Sequence, residues 1–254
     1  MAEVPFDLPS EALEGRVAVI TGASRGLGAG LAARFAEHGL QLGLCARHEP
    51  DAPPGARALT GAVDVTDAAK LDRFASAVAS TLGPIDLWVN NAGVLDPMGP
   101  QRRHDPAAVD RALRVNVGGV ANGTRSFTDR CRGWAPARRV LVNVSSGAAT
   151  SIYEGWSIYG ATKAAVDHFT EIVAAEEPGV LCHAVAPGVV DTEMQATIRT
   201  HDERTFPAVE RFRELHRTGA WSSPAWVADH LLGLVAATWA PETVVVRVPA
   251  EPRS

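Results

Sequence analysis

The stretch Arg16-Val-Ala-Val-Ile-Thr-Gly-Ala-Ser-Arg-Gly-Leu-Gly28 runs from a short apolar segment through a glycine-rich turn into the start of a helix. A near-continuously apolar segment is typical of a strand that is buried on both faces of a parallel sheet. Glycines in the turn let a phosphate approach the backbone, and the helix start offers free N–H groups and the positive end of its dipole. The stretch therefore predicts the first strand, turn and helix of a nucleotide-binding α/β domain. A tight turn that holds no ligand is the alternative.

The rest of the chain alternates apolar, strand-like runs with segments whose apolar residues recur every three or four positions. Strands are predicted at residues 16–20, 41–45, 58–63, 85–89, 139–144, 180–186 and 243–248, and helices at 26–38, 67–82, 106–131, 157–176 and 224–237. Apolar strands separated by helices indicate a parallel sheet that is covered on both faces. The predicted fold class is α/β, a single doubly wound Rossmann-type domain over residues 1–254 with a seven-stranded parallel sheet and helices on both faces.

Two segments depart from this alternation. Residues 48–57 contain three prolines and a glycine where a helix is expected, and this composition predicts an irregular loop. Residues 192–218 form a polar, charged insertion before the last helix. We interpret this insertion as a lid over a substrate site.

Composition excludes several classes of protein. The chain has 254 residues, of which 46% are hydrophobic, and its formal net charge is −5. This charge lacks the positive field that nucleic-acid binding requires, so no nucleic-acid partner is expected. The longest apolar runs fall short of the roughly 20 residues that span a bilayer, and residues 1–10 show no export signal, so no membrane association and a cytoplasmic location are expected. The cysteines and histidines show no metal-binding spacing, so no metal is expected.

The segment Ser157-Ile-Tyr-Gly-Ala-Thr-Lys163 sets a phenol and an ammonium group four residues apart, on one face of a helix. A free tyrosine titrates at about 10 and is a poor acid-base catalyst at neutral pH. A nearby cation favours the phenolate, so Lys163 is predicted to lower the pKa of Tyr159 into a working range. The alternative is an ordinary surface pair on an amphipathic helix.

The second predicted strand ends in Arg47, about twenty residues after the glycine turn, where an NAD site places an acid at the ribose 2′-hydroxyl. An arginine at this point favours a phosphate, and Arg25 in the turn supplies a second cation. NADPH or NADP is therefore the predicted cofactor. NAD is the less favoured alternative. It is supported by Glu49 and Asp51, which lie close to Arg47 in an irregular loop that could fold back.

Five motifs follow one another in order along the chain. They are the glycine turn, Asn90-Asn-Ala-Gly93, Asn143-Val-Ser-Ser146, Tyr159 with Lys163, and Pro187-Gly188 followed by Thr192. Together they resemble the short-chain dehydrogenase/reductase family over nearly the whole chain. The resemblance implies that Tyr159 donates a proton to a substrate carbonyl, that Lys163 holds the nicotinamide ribose, and that Ser146 stabilises the reacting oxygen. Ser146 is preferred to Ser145 because it lies thirteen residues before Tyr159, the usual interval in the family.

The resemblance also implies that Asn116 matches the asparagine that holds a proton-relay water beside the lysine. A core amide that kinks its helix is the alternative for this residue. The implied cofactor site combines the glycine turn with the ends of several strands. The predicted cofactor-binding residues are Gly22, Ser24, Arg25, Gly26, Leu27, Gly28, Arg47, Asp64, Val65, Asn91, Ala92, Gly93, Tyr159, Lys163, Pro187, Gly188, Val190 and Thr192.

Within the family, residues 154–157, 174–178 and 191–195 resemble the branch of sepiapterin reductase and benzil reductase. This similarity implies that NADPH reduces an α-dicarbonyl or an aryl ketone, a small-molecule carbonyl substrate. Trp156, Met194 and either Phe206 or Phe212 are the predicted apolar walls, although Trp156 equally suits a core or interface position. The alternatives are an NAD-dependent alcohol dehydrogenase and a non-catalytic nucleotide-sensing protein. The family's usual pairing of long helices predicts a homodimer or homotetramer.

Overall fold

Seven strands pair in parallel in one sheet of this computed structural model, which describes residues 3–132 and 138–252. The strands are β1 (Val17–Thr21), β2 (Gln41–Ala46), β3 (Ala58–Ala62), β4 (Ile85–Asn90), β5 (Val140–Val144), β6 (Leu181–Ala186) and β7 (Val245–Arg247). Their order across the sheet is β3-β2-β1-β4-β5-β6-β7. The chain reverses direction across the sheet between β1 and β4, which is the switch point of a doubly wound fold. The predicted fold class is confirmed.

Helices connect most of the strands. They are α1 (Ser10–Leu13), α2 (Gly26–Glu37), α3 (Ala68–Leu82), α4 (Pro106–Leu113), α5 (Gly119–Cys131), α6 (Ser157–Glu176), α7 (Glu193–Thr200), α8 (Val209–Thr218) and α9 (Pro224–Ala236). Several begin at side-chain caps, as at Asp67, which accepts a hydrogen bond from the backbone N–H of Lys70, and at Ser223, which accepts one from Trp226. No helix within the described ranges has the length and apolar composition needed to cross a bilayer.

Three segments differ from the sequence-based expectation. The helix predicted over 106–131 is interrupted by a π-helical turn at Arg114–Gly118, which separates α4 from α5. The predicted lid at 192–218 contains two helices, α7 and α8. The short helix α1 was not predicted. The connection between β2 and β3 contains no helix, in agreement with the prediction from its prolines.

The two faces of the sheet are buried under two separate apolar layers. In β1, Ala18 and Ile20 point to the layer that contains α2 and α9, whereas Val17 and Val19 point to the layer that contains α3 and α5. Successive side chains of a strand alternate between faces, so a strand covered on both sides must be apolar throughout. This double burial explains the continuous apolar run in the first strand.

A partly buried ion pair joins α2 to α9 beside the sheet. Arg34 donates two hydrogen bonds to the Asp229 carboxylate, at 2.7 and 3.0 Å, and Nε2 of His38 lies 3.6 Å from the same carboxylate. Burial raises the pKa of Asp229, but the interactions with His38 and Arg34 outweigh burial and hold this pKa below its ordinary value. The charged form of Asp229 therefore stabilises the packing of α2 on α9.

We expect Asp229→Asn to lower the free energy of unfolding at pH 7 by about 1–3 kcal/mol, because the Arg34 guanidinium loses its charged partner. A native pKa below the unfolded value makes this contribution fully present above about pH 4, and it is lost as the pH falls through the native pKa. Urea unfolding of both proteins at pH 7, 5 and 3 should show the native protein approaching the variant at low pH. A difference in stability that stays constant over this range contradicts the assignment.

Candidate active site

A cleft of about 1060 Å³ opens at the carboxyl ends of the central strands. All predicted cofactor-binding residues line it, as do Ser146, Trp156 and Met194. Asn116 does not line the cleft, because it is fully buried behind it. The structure therefore brings the predicted site residues together in one place, with Asn116 as a supporting residue.

The glycine turn between β1 and α2 packs closely on the loop after β4. A Cβ atom at Gly22 would lie 2.8 Å from the Ala92 Cα atom, and the φ angle of Gly22 is +67°. The Asn91 side chain donates hydrogen bonds to the carbonyl oxygens of Thr21 and Gly22, at 2.9 and 3.1 Å. The hydroxyl of Thr21 accepts hydrogen bonds from the backbone N–H groups of Asn91 and Ala92. The turn is thus fixed with its backbone exposed at the start of α2.

Arg47 and Asp64 lie at the other end of the cofactor region, after β2 and β3. A backbone hydrogen bond from Thr66 lowers the pKa of Asp64, and the charge of Arg47 lowers it further. Glu49, which was a candidate partner for Arg47, instead accepts a hydrogen bond from the hydroxyl of Thr60 at 2.5 Å. The sequence-based doubt that Glu49 folds back toward Arg47 is therefore not supported by this contact.

Arg25, which was predicted to supply a second cation for the cofactor phosphate, already has a partner in this structure. Its guanidinium forms an ion pair with Glu193, the first residue of α7. Both side chains are largely exposed, so this pair is weak and its carboxylate is replaceable by another anion. The contact joins the glycine turn to the segment that was predicted to be a lid.

Tyr159 and Lys163 lie one helical turn apart in α6, and both are buried. The Nζ atom of Lys163 lies 5.8 Å from the centroid of the Tyr159 ring and donates a hydrogen bond to the Val144 carbonyl oxygen at 2.7 Å. This bond to the last residue of β5 fixes the position of the ammonium group. The surface-pair alternative is excluded, since the exposed fractions of Tyr159 and Lys163 are 8% and 5%.

The protonation of this pair is dominated by burial. Burial lowers the pKa of Lys163 to about 8, although the nearby Asp167 charge opposes this change. Burial also raises the pKa of Tyr159, and hydrogen bonding with Ser146 opposes it. The predicted lowering of the tyrosine pKa is therefore not seen in this structure, because burial is the largest influence on it and the influence that opposes burial is the hydrogen bond with Ser146.

Ser146 and Asn116 support the pair from two sides. The hydroxyl of Ser146 accepts a hydrogen bond from the Ala148 N–H at 3.2 Å and interacts with Tyr159, whereas Ser145 interacts with Asp167. The Asn116 amide, within the π-helical turn, bonds to both the N–H and the carbonyl of Val94, at 2.8 and 2.9 Å. It also donates to the hydroxyl of Thr162 at 3.1 Å. Asn116 thus ties the loop after β4 to α6.

Aromatic side chains form the end of the cleft beside Tyr159. Trp156 lies 5.5 Å from Tyr159 between ring centroids, and Phe212 of α8 packs against Trp156 at 5.4 Å. Phe206 is not a wall, because it is fully buried and stacks on Trp156 from behind at 4.6 Å. Phe212 lines the cleft together with Met194. Of the two predicted alternatives, Phe212 is the one that faces the cavity.

Tyr153, Arg211 and Arg247 are among the residues at this end that were not predicted from the sequence. Arg247 ends β7, and the carboxyl ends of parallel strands are where ligands bind in such sheets, so its position in the sequence was a usable signal. Arg211 lies on α8 in the polar insertion, and no local pattern distinguishes it from the neighbouring surface arginines. No group of three or more His, Cys, Asp or Glu side chains suited to a metal ion occurs in residues 3–132 and 138–252.

Comparisons with known proteins give consistent matches. A family model described as short chain dehydrogenase matches residues 16–203. Benzil reductase ((S)-benzoin forming) of Bacillus subtilis (strain 168) is 33% identical over 231 residues, which are 85% of this chain and 92% of the relative. Sepiapterin reductase of Meriones unguiculatus is 34% identical over 202 residues, which are 72% and 77% of the two chains. The crystal structure of levodione reductase superposes with a TM-score of 0.81 at 26% identity, covering 93% of this chain and 96% of that one.

Proposed function

This chain belongs to the short-chain dehydrogenase/reductase family, in the branch of benzil and sepiapterin reductases that the motifs predicted, and from that premise we propose that it is an NADPH-dependent carbonyl reductase. Enzymes of the family use NAD(P)(H) as cofactor. The proposed reaction reduces an α-dicarbonyl or an aryl ketone to an alcohol by hydride transfer. The observation that carries this proposal is that Ser146, Tyr159 and Lys163 line the same cleft as the glycine turn.

The residues of the cleft fit a dinucleotide. The glycine turn presents backbone N–H groups rather than side chains at the start of α2, as a pyrophosphate requires. Arg47 and Asp64 lie where the adenosine is expected, and Lys163 lies where the nicotinamide ribose is expected. The volume of about 1060 Å³ exceeds that of typical small-molecule sites, so there is room for a substrate as well.

The chain's own groups supply the proton and stabilise the developing charge. Bound NADPH supplies the hydride. The hydroxyls of Ser146 and Tyr159 donate hydrogen bonds to the carbonyl oxygen, and Tyr159 gives up its proton as the alkoxide forms. The Lys163 ammonium group, held by the Val144 carbonyl, stabilises the phenolate that remains. Asn116 positions the loop after β4 beside Lys163.

The activity is tested by mixing purified protein with NADPH and a panel of carbonyl compounds, and following the loss of reduced-cofactor absorbance. The panel comprises benzil, 1-phenyl-1,2-propanedione, acetophenone and aliphatic ketones. We expect the highest turnover rates with the aromatic dicarbonyls. An absence of turnover across the whole panel contradicts the proposal and favours a nucleotide-sensing protein. Oxidation of the corresponding alcohols with NAD, without reduction by NADPH, favours the alcohol dehydrogenase alternative.

We expect the native protein to prefer NADPH over NADH by at least about tenfold in kcat/KM, and Arg47→Asp to reverse this preference. The guanidinium of Arg47 binds the 2′-phosphate, whereas a carboxylate repels it and accepts a hydrogen bond from the 2′-hydroxyl. Initial rates with both cofactors measure the effect. Arg73→Gln is the matched control, since Arg73 is an exposed arginine of α3 that does not line the cleft. A preference of the native protein for NADH would contradict the assignment of NADPH as the cofactor.

We further propose that residues 192–218 act as the substrate lid. Met194 and Ile198 of α7 and Phe212 of α8 line the cleft, so the insertion covers its substrate end. The ion pair between Arg25 and Glu193 connects this cover to the glycine turn. Binding of the cofactor beside Arg25 is therefore coupled to the position of α7.

The predicted homodimer or homotetramer remains part of the proposal. The predicted cytoplasmic location is also part of it. Members of the family are commonly oligomeric. Exposed apolar side chains support the same expectation here: Leu113 at the end of α4 and Ile172 on α6 are each 46% exposed. These two helices fall in the segments that were predicted to pair.

A further inference from the structure

Two arginines reach the substrate end of the cleft from separate elements. Arg211 belongs to α8, Arg247 ends β7, and both line the same cavity as Ser146 and Tyr159. Neither guanidinium forms an ion pair with a carboxylate in the part of the chain that the structure describes. Arg211 donates a hydrogen bond to the Tyr153 hydroxyl at 3.1 Å and lies 5.8 Å from the centroid of that ring. Both arginines are exposed, so their guanidinium groups are accessible to a ligand that enters this end of the cleft.

The position of Arg247 relates it directly to the reacting group. Its Nη2 atom covers Gly147 so closely that a side chain at residue 147 would displace it. Gly147 immediately follows Ser146, whose hydroxyl binds the carbonyl oxygen in the proposed reaction. The guanidinium therefore lies close to the place where the neighbour of the reacting carbonyl must sit.

Of the five other cations that line the cleft, four already have a partner or a proposed role, and the fifth, Arg111, is exposed on α4. Arg25 pairs with Glu193, and Arg114 pairs with Asp110 at 3.1 Å. Arg47 and Lys163 face the cofactor in the proposed function. Overall, seven Lys and Arg side chains but only four Asp and Glu side chains line the cleft, in a chain whose net charge is −5. The lining of the cleft is therefore net positive although the chain is net negative, which favours the binding of anions.

We infer that the carbonyl substrate is an anion: an apolar, aromatic ketone with a carboxylate next to the reacting carbonyl, which is the chemical class of the aryl 2-oxo acids. This inference rests on the proposed function. Arg247 binds the carboxylate through its planar fork, and Trp156 and Phe212 enclose the ring. Arg211 adds attraction from the lid side. Ser146 and Tyr159 keep their roles at the carbonyl oxygen.

The test compares benzoylformate with its methyl ester, which keep the same ketone and differ in charge. With NADPH, Arg247→Gln should lower kcat/KM for benzoylformate by at least about tenfold, and that for the ester by no more than about threefold. Arg247→Lys should restore part of the loss for the acid, because it keeps the charge without the fork. Arg73→Gln removes one positive charge outside the cleft and controls for the overall charge of the protein.

Equal losses for acid and ester, or no loss for the acid, would overturn the inference. Failure of the proposed function is a separate result, in which the native protein reduces neither compound. Tryptophan fluorescence then still decides the anion site, through the dissociation constant of benzoylformate in the presence of NADP. At least tenfold weaker binding to Arg247→Gln supports the site, and unchanged binding overturns it.

Discussion

Replacing Tyr159 by phenylalanine is expected to lower kcat for carbonyl reduction by at least about a thousandfold, while the dissociation constant for NADPH changes by less than about threefold. The variant keeps the buried ring, which packs against Trp156, and loses only the hydroxyl. That hydroxyl is the group that interacts with Ser146 and that donates the proton in the proposed reaction. A large effect on turnover with little effect on cofactor affinity is therefore the signature of a proton donor.

The chain offers a matched control, because it contains only two tyrosines and both line the cleft. Tyr153→Phe removes the other phenolic hydroxyl, which accepts a hydrogen bond from Arg211. We expect this variant to lose less than about tenfold in kcat/KM, the value of one hydrogen bond at the substrate end. Single-turnover rates and NADPH titrations of both variants separate chemistry from binding. Comparable rates for Tyr159→Phe and the native protein would remove Tyr159 from the reaction.

The fold was largely predictable because its signals are local. A strand that is buried on both faces needs a continuous apolar run, and six of the seven observed strands begin and end within one residue of the predicted limits. The exception is β7, which is shorter than predicted at both ends. Helix α6 has the predicted limits because its apolar spacing is regular. By contrast, the π-helical turn around Asn116 depends on hydrogen bonds to Val94 and Thr162, which are distant in the sequence. No local pattern indicates such a turn.

The parts of the site that lie in sequence motifs were predictable, whereas the parts that depend on tertiary contacts were not. The glycine turn and the segment with Tyr159 and Lys163 are recognisable from their spacing. The pairing of Arg25 with Glu193 joins residues 168 positions apart, and no periodicity relates them. The direction of the Tyr159 pKa change was wrong for a similar reason, since burial is a property of the assembled site rather than of the helix that carries the residue.

A network of buried amides and hydroxyls lies behind the site and joins β4 to β5. The Asn90 side chain accepts a hydrogen bond from the Trp88 indole at 2.8 Å and donates one to the Asn143 side chain at 2.8 Å. Asn143 in turn donates to the hydroxyl of Thr170 in α6 at 2.9 Å. Gly123 of α5 lies directly over this network. A Cβ atom there would collide with the Asn90 side-chain oxygen and would lie 2.9 Å from the Trp88 indole nitrogen.

We therefore expect Gly123→Ala to lower the free energy of unfolding by about 3 kcal/mol or more, because the new methyl group displaces Asn90 and leaves buried polar atoms without partners. Gly118→Ala is the matched control. Gly118 has a helical φ of −60°, and no atom outside its own helix lies within 4 Å of a Cβ built there, so its variant should be neutral or gain up to about 1 kcal/mol. Urea unfolding measures both values, provided that the dependence of the unfolding free energy on urea concentration keeps the same slope in each variant.

A double-mutant cycle identifies the cause of the loss in Gly123→Ala. Asn90→Ala removes the atoms with which the new methyl group collides, while it also breaks the network by itself. If displacement of Asn90 is the cause, the double variant should lose clearly less than the sum of the two single losses, with a coupling of about 1–3 kcal/mol. Additive losses would place the strain elsewhere, in the backbone of α5. The network lies directly behind the site, because the loops that follow β4 and β5 carry Asn91 and Ser146 into the cleft.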